Sequence, residues 1–436
     1  MKDSYNKSVL TQEQINKINE EYLKPLSENS IMGKRKNIEK PRERADGEWQ
    51  RDFTRIIYAS SFRRLQGKMQ LLGIRNDQFF RNRLTHSMEV AQIARSIAHM
   101  LGYSKEESYV VEAGALAHDI GNPPFGHAGE RKLNEIAKEF GGYEGNAQTL
   151  RILTTVEQKR AEFQGLNLTN RTLFSVIKYN RRFEKNLEDK EFKKQKFLYE
   201  NDYEYINEVS RKSGIHPRTL DVQIVDLADE IAYAAHDLED GLRCGKFTVD
   251  EIQHEFNNNY DESASSKLLE EIVNESRERA GYKKRRVDSA EYSKLYRKEL
   301  ASRIINTLIN DISLINIDEE FKNKTGTINN QELGFTNYEQ LAAGLKATTY
   351  DCINHNDEVY LYEEKGNQIL EFLFEYYSEK KHISYLPPEY RADLIIKQYG
   401  MPDTINKKEL QSRLIIDYIS GMMDTFAINC YERLKK

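Results

Sequence analysis

The chain has 436 residues, of which 39% are hydrophobic and 31% are charged, and its formal net charge is −5. This length can bury a large core, and no apolar run approaches the length of a membrane span, which excludes a membrane-embedded protein. The three cysteines, Cys244, Cys352 and Cys430, are too widely spaced to indicate a disulfide framework. Because the N-terminus also lacks an apolar signal segment, we predict a cytoplasmic protein.

The pattern of segments predicts an all-α fold. Only eight prolines occur, and no stretch alternates in the manner of β-strands. We expect a polar N-terminal arm over residues 1–45 and a helical core over 46–250, with a charged, solvated excursion at 181–213. We expect residues 251–436 to form further helices that pack on this core.

Basic residues concentrate early in the chain. Residues 33–46 contain six basic and three acidic side chains, and residues 51–83 contain eight basic and two acidic ones. The first stretch predicts a solvated arm or, alternatively, a contact to phosphate or to another subunit. The second stretch has a helical apolar face, and its basic face has two interpretations. It is either solvated, or it places arginines beside the next helix, where they could grip a polyphosphate in bidentate fashion.

Two helices follow in which histidines occupy inward positions. Apolar residues recur at three- and four-residue steps from Val90 onward, and His86 lies four residues earlier on the same stripe. The small apolar residues 109–117 predict a second buried helix, which the following glycine and prolines end. His118 and Asp119 are therefore the last residues of a buried helix.

This arrangement suggests a metal site. A buried imidazole needs a polar partner and a buried carboxylate needs a cation, so His86, His118 and Asp119 would satisfy one another around a divalent metal ion. One more carboxylate would complete the protein ligands and leave positions open for water and phosphate oxygens. A His–Asp pair alone also occurs as an ordinary helix cap, so the prediction depends on His86.

A long helix is predicted over residues 222–245, which glycines end. Asp229, Tyr233 and Asp237 fall four residues apart and share one face of it. This face is either a solvated acidic surface, or Asp229 is the missing fourth ligand and the other two side chains line the same cleft. Further helices are predicted in the charged region 255–300 and in four later segments, which are 302–315, 339–355, 366–377 and 414–434.

Several stretches resemble the deoxyguanosinetriphosphate triphosphohydrolase (dGTPase) family of HD-domain metal phosphohydrolases. His86, the pair His118–Asp119 and Asp229 match its H…HD…D pattern, and HDIGNPPFGHAGE is the longest shared motif. The other shared motifs are SSFRRLQGKMQ, RNRLTHSMEVAQIAR, EGNAQTLRIL, LNLT…TL…IKY and VDLADEIAYAAHDLEDG. The resemblance covers roughly residues 45–250 and continues more loosely through GLKATTYDCINHNDEV.

The resemblance implies a helical HD-domain catalytic core that hydrolyses dGTP or several dNTPs to deoxynucleoside and inorganic triphosphate. The implied ligands of Mn²⁺, Mg²⁺ or a similar divalent ion are His86, His118, Asp119 and Asp229. The implied catalytic pair beside the α-phosphate is His127 and Glu130. The implied substrate-binding residues are Arg83, which would hold phosphates, and Gln70, Tyr233 and Asp237, which would surround the deoxyribose.

Some features stay open at this point. The family often continues with proline after IKY, whereas Asn180 follows here, so the base preference is undetermined.

Two other functions are alternatives to dNTP hydrolysis. One is an HD phosphohydrolase for another nucleotide, and the other is a nucleic-acid-binding protein that uses residues 33–83, with a regulatory HD site. We expect a homo-oligomer, because the polar arms are ample for assembly, and no membrane partner. An activating dNTP and single-stranded DNA remain open as further ligands.

Overall fold

The computed structural model describes residues 8–39, 47–70, 81–260, 263–282, 288–354, 357–402 and 404–435. Helices dominate these residues, and the all-α prediction, with additional helices in the C-terminal part, is confirmed. In the described part of the chain, none of the helices is both long and apolar enough to cross a bilayer.

The N-terminal helices are α1 Gln12–Ile18, α2 Lys24–Glu28, α3 Gly47–Ile57 and α4 Ser60–Arg64. The central helices are α5 Arg83–Met100, α6 Lys105–Ala117, α7 Gly126–Ile136, α8 Gly145–Arg151, α9 Asn170–Phe174, α10 Asp189–Phe192, α11 Glu200–Ser213, α12 Leu220–Ala232 and α13 Leu238–Arg243. One π-helical turn, Tyr233–Asp237, joins α12 to α13, and two others are Asn19–Leu23 and Ile152–Val156.

The later helices are α14 Val249–Tyr260, α15 Ala264–Arg279, α16 Ser289–Asn310, α17 Glu319–Thr325, α18 Glu339–Asn354, α19 Asp357–Ser378, α20 Ala392–Tyr399, α21 Lys407–Ser420 and α22 Asp424–Leu434. Short 3₁₀ turns are Leu65–Gly67, Lys138–Phe140, Ile383–Tyr385 and Pro388–Tyr390. The strands β1 Ile312–Asn316 and β2 Gln331–Phe335 form an antiparallel pair, in which Leu314 lies opposite Leu333.

Local sequence signals set the start of the helices that carry the predicted ligands. Asn82 caps α5 by accepting the N–H of Thr85, and the Thr85 hydroxyl accepts the N–H of Asn82 in return. Ser104 and Glu107 form the same reciprocal capping box on α6. Helix α5 then packs against both α6 and α12, so the three helices with the predicted ligands form one buried layer.

Two large hydrophobic clusters organise the described residues. The first unites α5, α6 and α12 with the N-terminal helices and with α14 to α16. The second is built from α7 together with α19, α21 and α22, and includes Phe125, Leu133, Leu370 and Ile419. Helix α7 therefore follows α6 closely in the sequence but packs mainly against the C-terminal helices.

The structure corrects several sequence predictions about charged segments. The solvated alternative for 33–46 is wrong for its described part at Arg35, whose side chain is 8% exposed and pairs with Glu48 and Asp52. Earlier in the polar N-terminal arm, Ile18 and Met32 are fully buried. The excursion 181–213 is also not wholly solvated, because Phe197 is fully buried and α11 contributes Ile206 to the core. In both places, occasional large apolar side chains pack against the core although the surrounding sequence is highly charged.

Most described basic residues of the segment 51–83 are engaged within the protein rather than solvated, and one of them, Arg83, lies beside the predicted ligand Asp119. Arg51 and Arg55 are buried and both pair with Glu39. Arg81 pairs with three carboxylates, which are those of Glu89, Glu239 and Asp240. Because these arginines form ion pairs with carboxylates of the protein itself, nucleic-acid binding by this segment loses much of its support. Residues 71–80 lie outside the described residues.

Three predicted helices have different bounds in the structure. The segment 302–315 was expected to be helical throughout, but α16 ends at Asn310 and the next residues form β1. The β-branched residues Ile312 and Ile315 favour a strand once the partner β2 is present. The helix predicted over 222–245 is interrupted by the π-helical turn, and 414–434 forms two helices that separate after Ser420.

Candidate active site

Three predicted ligand residues meet at the contact between α5 and the end of α6. One side-chain atom from each of His86, His118 and Asp119 lies within 4.8 Å of the others. Asp229 reaches the same place from α12, with its Oδ1 atom 3.0 Å from His86 Nε2 and 3.3 Å from His118 Nε2. All four residues are buried. The helix layer thus gathers two imidazoles and two carboxylates from three separate stretches of sequence.

The hydrogen bonds of this cluster suit a cation. His118 Nδ1 donates to the carbonyl of Ala115, at 2.6 Å, which leaves Nε2 as an acceptor. That nitrogen is buried without a hydrogen-bond partner among the described residues, although it faces the Asp229 carboxylate. Burial opposes a charge on His118, but Asp119 and Asp229 raise its pKa. An acceptor nitrogen that faces two carboxylates is the arrangement that a bound metal ion would stabilise.

Asp119 is held in its ionised form. Its Oδ2 atom accepts a hydrogen bond from Arg83 Nη1 at 2.5 Å, and Oδ1 accepts one from the Asn122 side chain. Burial works against the charge, but Arg83 and then His118 lower the pKa of Asp119 well below its usual value. Arg83 is itself only 2% exposed and lies behind the carboxylate. The contact that the structure shows for Arg83 is therefore with Asp119, and its phosphate-holding role stays a prediction.

Asp229 has a cationic partner that the sequence argument did not assign. Lys178 Nζ lies 2.9 Å from Asp229 Oδ2 and 3.1 Å from Asp226 Oδ1. Burial again opposes ionisation, but Lys178 and then His118 lower the pKa of Asp229 well below its usual value. Lys178 belongs to the IKY motif, so its position was visible in the sequence while its contact was not.

His127 and Glu130 lie together on the first turn of α7. His127 Nδ1 is 3.3 Å from Glu130 Oε2, and the His127 side chain is 60% exposed. Glu130 Oε1 accepts the backbone N–H of Gly145 at 3.0 Å and lies 3.7 Å from Lys196 Nζ. Burial opposes its charge, but the hydrogen bond to His127 and the charge of Lys196 lower the pKa of Glu130 to about 2. An ionised carboxylate thus orients an accessible imidazole.

One cavity of about 730 Å³ opens onto both groups. Its lining includes eight of the ten predicted site residues, namely Gln70, His118, Asp119, His127, Glu130, Asp229, Tyr233 and Asp237. His86 and Arg83 lie behind this wall and contact it through Asp229 and Asp119. Both polar atoms of the Gln70 side-chain amide are buried without a hydrogen-bond partner among the described residues.

Tyr233 and Asp237 stand on the π-helical turn that follows α12. The ring of Tyr233 lies 5.1 Å from that of His86, centroid to centroid, and Lys346 Nζ lies 4.4 Å from the Tyr233 centroid. Asp237 is buried, and burial followed by the charge of Asp240 raises its pKa to about 8. The two side chains face the cavity with Asp229, as the shared helical face predicted.

The cavity wall also contains three lysines that were not predicted from the sequence, Lys178, Lys196 and Lys346. Lys196 comes from the excursion 181–213, where it is one cation among many and has no distinguishing pattern. Lys346 comes from α18, in the segment where the resemblance is loose. Neither position could be assigned from spacing alone, because the fold brings both residues to the cavity from distant parts of the chain.

The helical fold and the buried histidine–aspartate cluster define an HD-domain protein. The family model for the HD domain matches residues 83–234, and the model for the phosphohydrolase-associated domain matches residues 336–433. The first covers the cluster together with His127 and Glu130, and the second covers most of the C-terminal helices around α7.

Relatives match along nearly the whole chain. Deoxyguanosinetriphosphate triphosphohydrolase-like protein 2 of Vibrio cholerae serotype O1 is 45% identical over 88% of this chain and 87% of its own length. Deoxyguanosinetriphosphate triphosphohydrolase-like proteins of Shewanella sediminis and Rickettsia bellii are 31% and 33% identical, over 93% and 89% of this chain and 96% and 91% of their own lengths. The chain therefore belongs to the deoxyguanosinetriphosphate triphosphohydrolase-like family of HD-domain phosphohydrolases, as the motifs indicated.

Proposed function

We propose that this protein hydrolyses deoxynucleoside triphosphates, dGTP or several dNTPs, to deoxynucleoside and inorganic triphosphate with the help of a divalent metal ion. The observation that carries the proposal is the shared cavity, which joins the histidine–aspartate cluster, the His127–Glu130 pair and three lysines. The names of the relatives, which refer to deoxyguanosine triphosphate, support this substrate class.

The proposed metal ligands are His86, His118, Asp119 and Asp229. The unpartnered Nε2 of His118 and the two ionised carboxylates form a mixed nitrogen and oxygen donor set that suits Mn²⁺, Mg²⁺ or a similar ion. Such an ion, when bound, polarises a phosphate oxygen and lowers the pKa of adjacent water. Arg83 and Lys178 would hold the two carboxylates in place from behind and from the side.

The proposed proton-transfer group is His127. It is accessible from the cavity and its Nδ1 atom is oriented by Glu130, so its Nε2 atom can exchange a proton with the attacking water or with the leaving oxygen. Glu130 stays ionised across the neutral range, because its pKa is lowered to about 2. Water attack at the α-phosphorus would break its bond to the 5′ oxygen. The deoxynucleoside would then leave with a proton on that oxygen, while the three phosphates stay together as triphosphate.

The remaining cavity residues form two groups, the lysines and the residues that we place beside the deoxyribose. Lys178, Lys196 and Lys346 can offset the negative charge that the triphosphate brings into the cavity. Gln70 and Asp237 offer polar atoms to a 3′-hydroxyl, and the ring of Tyr233 would fill the space that a 2′-hydroxyl needs. This division predicts a preference for deoxyribose over ribose.

The test is product analysis with each of the four dNTPs, singly and in mixtures, with Mn²⁺ or Mg²⁺ present. We expect intact triphosphate and free deoxynucleoside in equal amounts, and no activity in a chelator. Release of monophosphate or pyrophosphate from the same substrates would favour the alternative, an HD phosphohydrolase with another reaction. Mixtures would also show whether one dNTP activates the hydrolysis of another.

A further inference from the structure

The turn that precedes α7 contains a residue, Phe125, in a backbone conformation that its side chain disfavours. Phe125 has a φ angle of 65°, in the left-handed region, although it carries a large side chain. The residue lies two positions before His127, so its backbone angles set the direction in which α7 begins. Something outside the turn must therefore hold Phe125 in place.

A buried carboxylate from the end of the chain contacts this turn. Asp424, the first residue of α22, is fully buried, and its Oδ1 atom accepts the backbone N–H of Phe125 at 3.2 Å. The Phe125 ring packs edge-on against Tyr362, with 5.5 Å between centroids. It also covers Gly366, where an added Cβ would come within 2.5 Å of the ring. Both the backbone and the ring of Phe125 are thus held by C-terminal helices.

The same carboxylate reaches a second wall of the cavity. Asp424 Oδ2 accepts the backbone N–H of Met69 at 3.1 Å and the hydroxyl of Tyr362 at 3.1 Å. Met69 precedes Gln70, and both residues line the cavity. One side chain therefore ties together two backbone segments that carry proposed active-site residues and are more than fifty positions apart in the sequence.

Lys68 makes a parallel connection beside it. Its buried ammonium donates to the carbonyls of Asn122 and Ser420, at 2.5 and 2.8 Å. Its own carbonyl accepts the N–H of Arg83 at 3.2 Å. The C-terminal helices α21 and α22 are thereby linked to both ends of the turn that separates Asp119 from His127.

We propose that Asp424 is a positioning residue, which holds the left-handed Phe125, and through it His127, in register with the metal cluster. The proposal rests on the proposed function, since it assigns the effect to His127. Asp424 does not line the cavity, so it acts through the two backbone N–H groups that it accepts.

The test is Asp424→Asn, which keeps the volume but replaces one acceptor oxygen with an amide that must face a donor. We expect kcat for dNTP hydrolysis to fall about 10–100-fold, because small displacements of a catalytic group are costly. KM should change less than about threefold and metal content should stay the same. In a His127→Ala background, the same substitution should lower kcat less than about threefold, since the group that it positions is gone.

Asp311 supplies a matched control. It is also a fully buried carboxylate that accepts two backbone N–H groups, those of Asn337 and Tyr338, both at 2.8 Å, and none of the three residues lines the cavity. Asp311→Asn should lower the thermal stability as Asp424→Asn does, but leave kcat unchanged well below the melting temperature. Equal losses of kcat in both variants, or an undiminished effect of Asp424→Asn without His127, would overturn the proposal.

Two further measurements cover other outcomes. If Asp424→Asn does not fold, Tyr362→Phe is the milder variant, because it removes only one donor to Asp424. We expect a two- to fivefold loss of kcat that disappears without His127. An unchanged kcat would contradict the proposal.

Amide hydrogen exchange needs no substrate, and residues 120–126 should exchange faster in the Asp424 variant but not in the Asp311 variant. Wild-type protein that is inactive on dNTPs would reject the proposed function alone, while unaltered exchange at 120–126 would reject the positioning role.

Discussion

The two halves of the candidate active site are stabilised in different ways. The half with His86, His118, Asp119 and Asp229 lies within the first hydrophobic cluster, where α5, α6 and α12 pack directly on one another. The half with His127 and Glu130 belongs to α7, which packs in the second cluster against helices from the last third of the chain.

This difference corresponds to the two proposed roles, because the first half would bind the metal ion and the second half would transfer a proton. The four proposed ligands lie on or at the ends of helices whose caps and apolar stripes are local, so this half depends on regular packing. The His127 half depends on a strained turn, Phe125, and on distant contacts to it. Substitutions in the first half should therefore remove the metal, whereas those in the second should leave it bound.

The largest expected effect is that of Asp119→Ala. It removes a proposed ligand and the partner of Arg83, so we expect loss of stoichiometric metal and loss of hydrolysis by more than about 10³-fold. Metal analysis and initial rates on the same preparation are the measurements. Glu112→Ala, in the helix that ends just before Asp119 and paired with Arg95 rather than with the cluster, should keep both metal and activity. Normal metal content and turnover in Asp119→Ala would show that the cluster is not the site.

The second expected effect is that of His127→Ala, which should keep the metal and lose activity by roughly 10²–10⁴-fold, as for a general acid–base residue. The measurements are kcat and metal content. Lys132→Ala is the control, because Lys132 lies on the same helix but pairs with Glu371 outside the cavity. Loss of metal in His127→Ala would make this residue a ligand and erase the distinction between the two halves.

A smaller effect is expected for Tyr233→Ala. Removing the ring should open space for a 2′-hydroxyl and lower the preference for dGTP over GTP by roughly 10–200-fold, with unchanged metal. The ratio of kcat/KM for the two nucleotides is the measurement. Tyr233→Phe retains the ring and should keep the ratio. If the ratio is the same in wild type and Tyr233→Ala, the ring does not lie beside the sugar.

The smallest expected effect is the pH dependence of the free energy of unfolding that arises from Asp237. Its pKa is raised to about 8 by burial and by Asp240, so the folded protein resists an ionisation that the unfolded chain undergoes near pH 4. The wild type should therefore lose stability as the pH rises between these values, whereas Asp237→Asn has no such group.

The variant should thus gain free energy of unfolding relative to the wild type as the pH rises, by about 1–4 kcal/mol near pH 8. Urea unfolding near pH 4.5 and near pH 8 is the measurement, with a chelator present because a bound cation would lower the same pKa. A difference between the two proteins that does not change with pH would mean that Asp237 titrates normally.

Much of the candidate site followed from local pattern. The apolar stripe after His86, the small-residue helix before His118 and the four-residue spacing of Asp229, Tyr233 and Asp237 are properties of single helices, and the structure brings these residues together. Helical periodicity decides which face a residue occupies, so the inward position of each group could be predicted without knowing its neighbours. The family motifs then indicated the class of protein.

Tertiary structure alone decided which charged residues are partners. The sequence could not show that Arg51 and Arg81 form ion pairs within the protein while Lys196 and Lys346 reach the cavity, because composition and spacing look alike in all these segments. It also could not show that Asp424 supports the turn at Phe125, some 300 positions earlier. Such contacts depend on how whole helices pack, and the free energy of burying a charge selects the pairing only once the fold has formed.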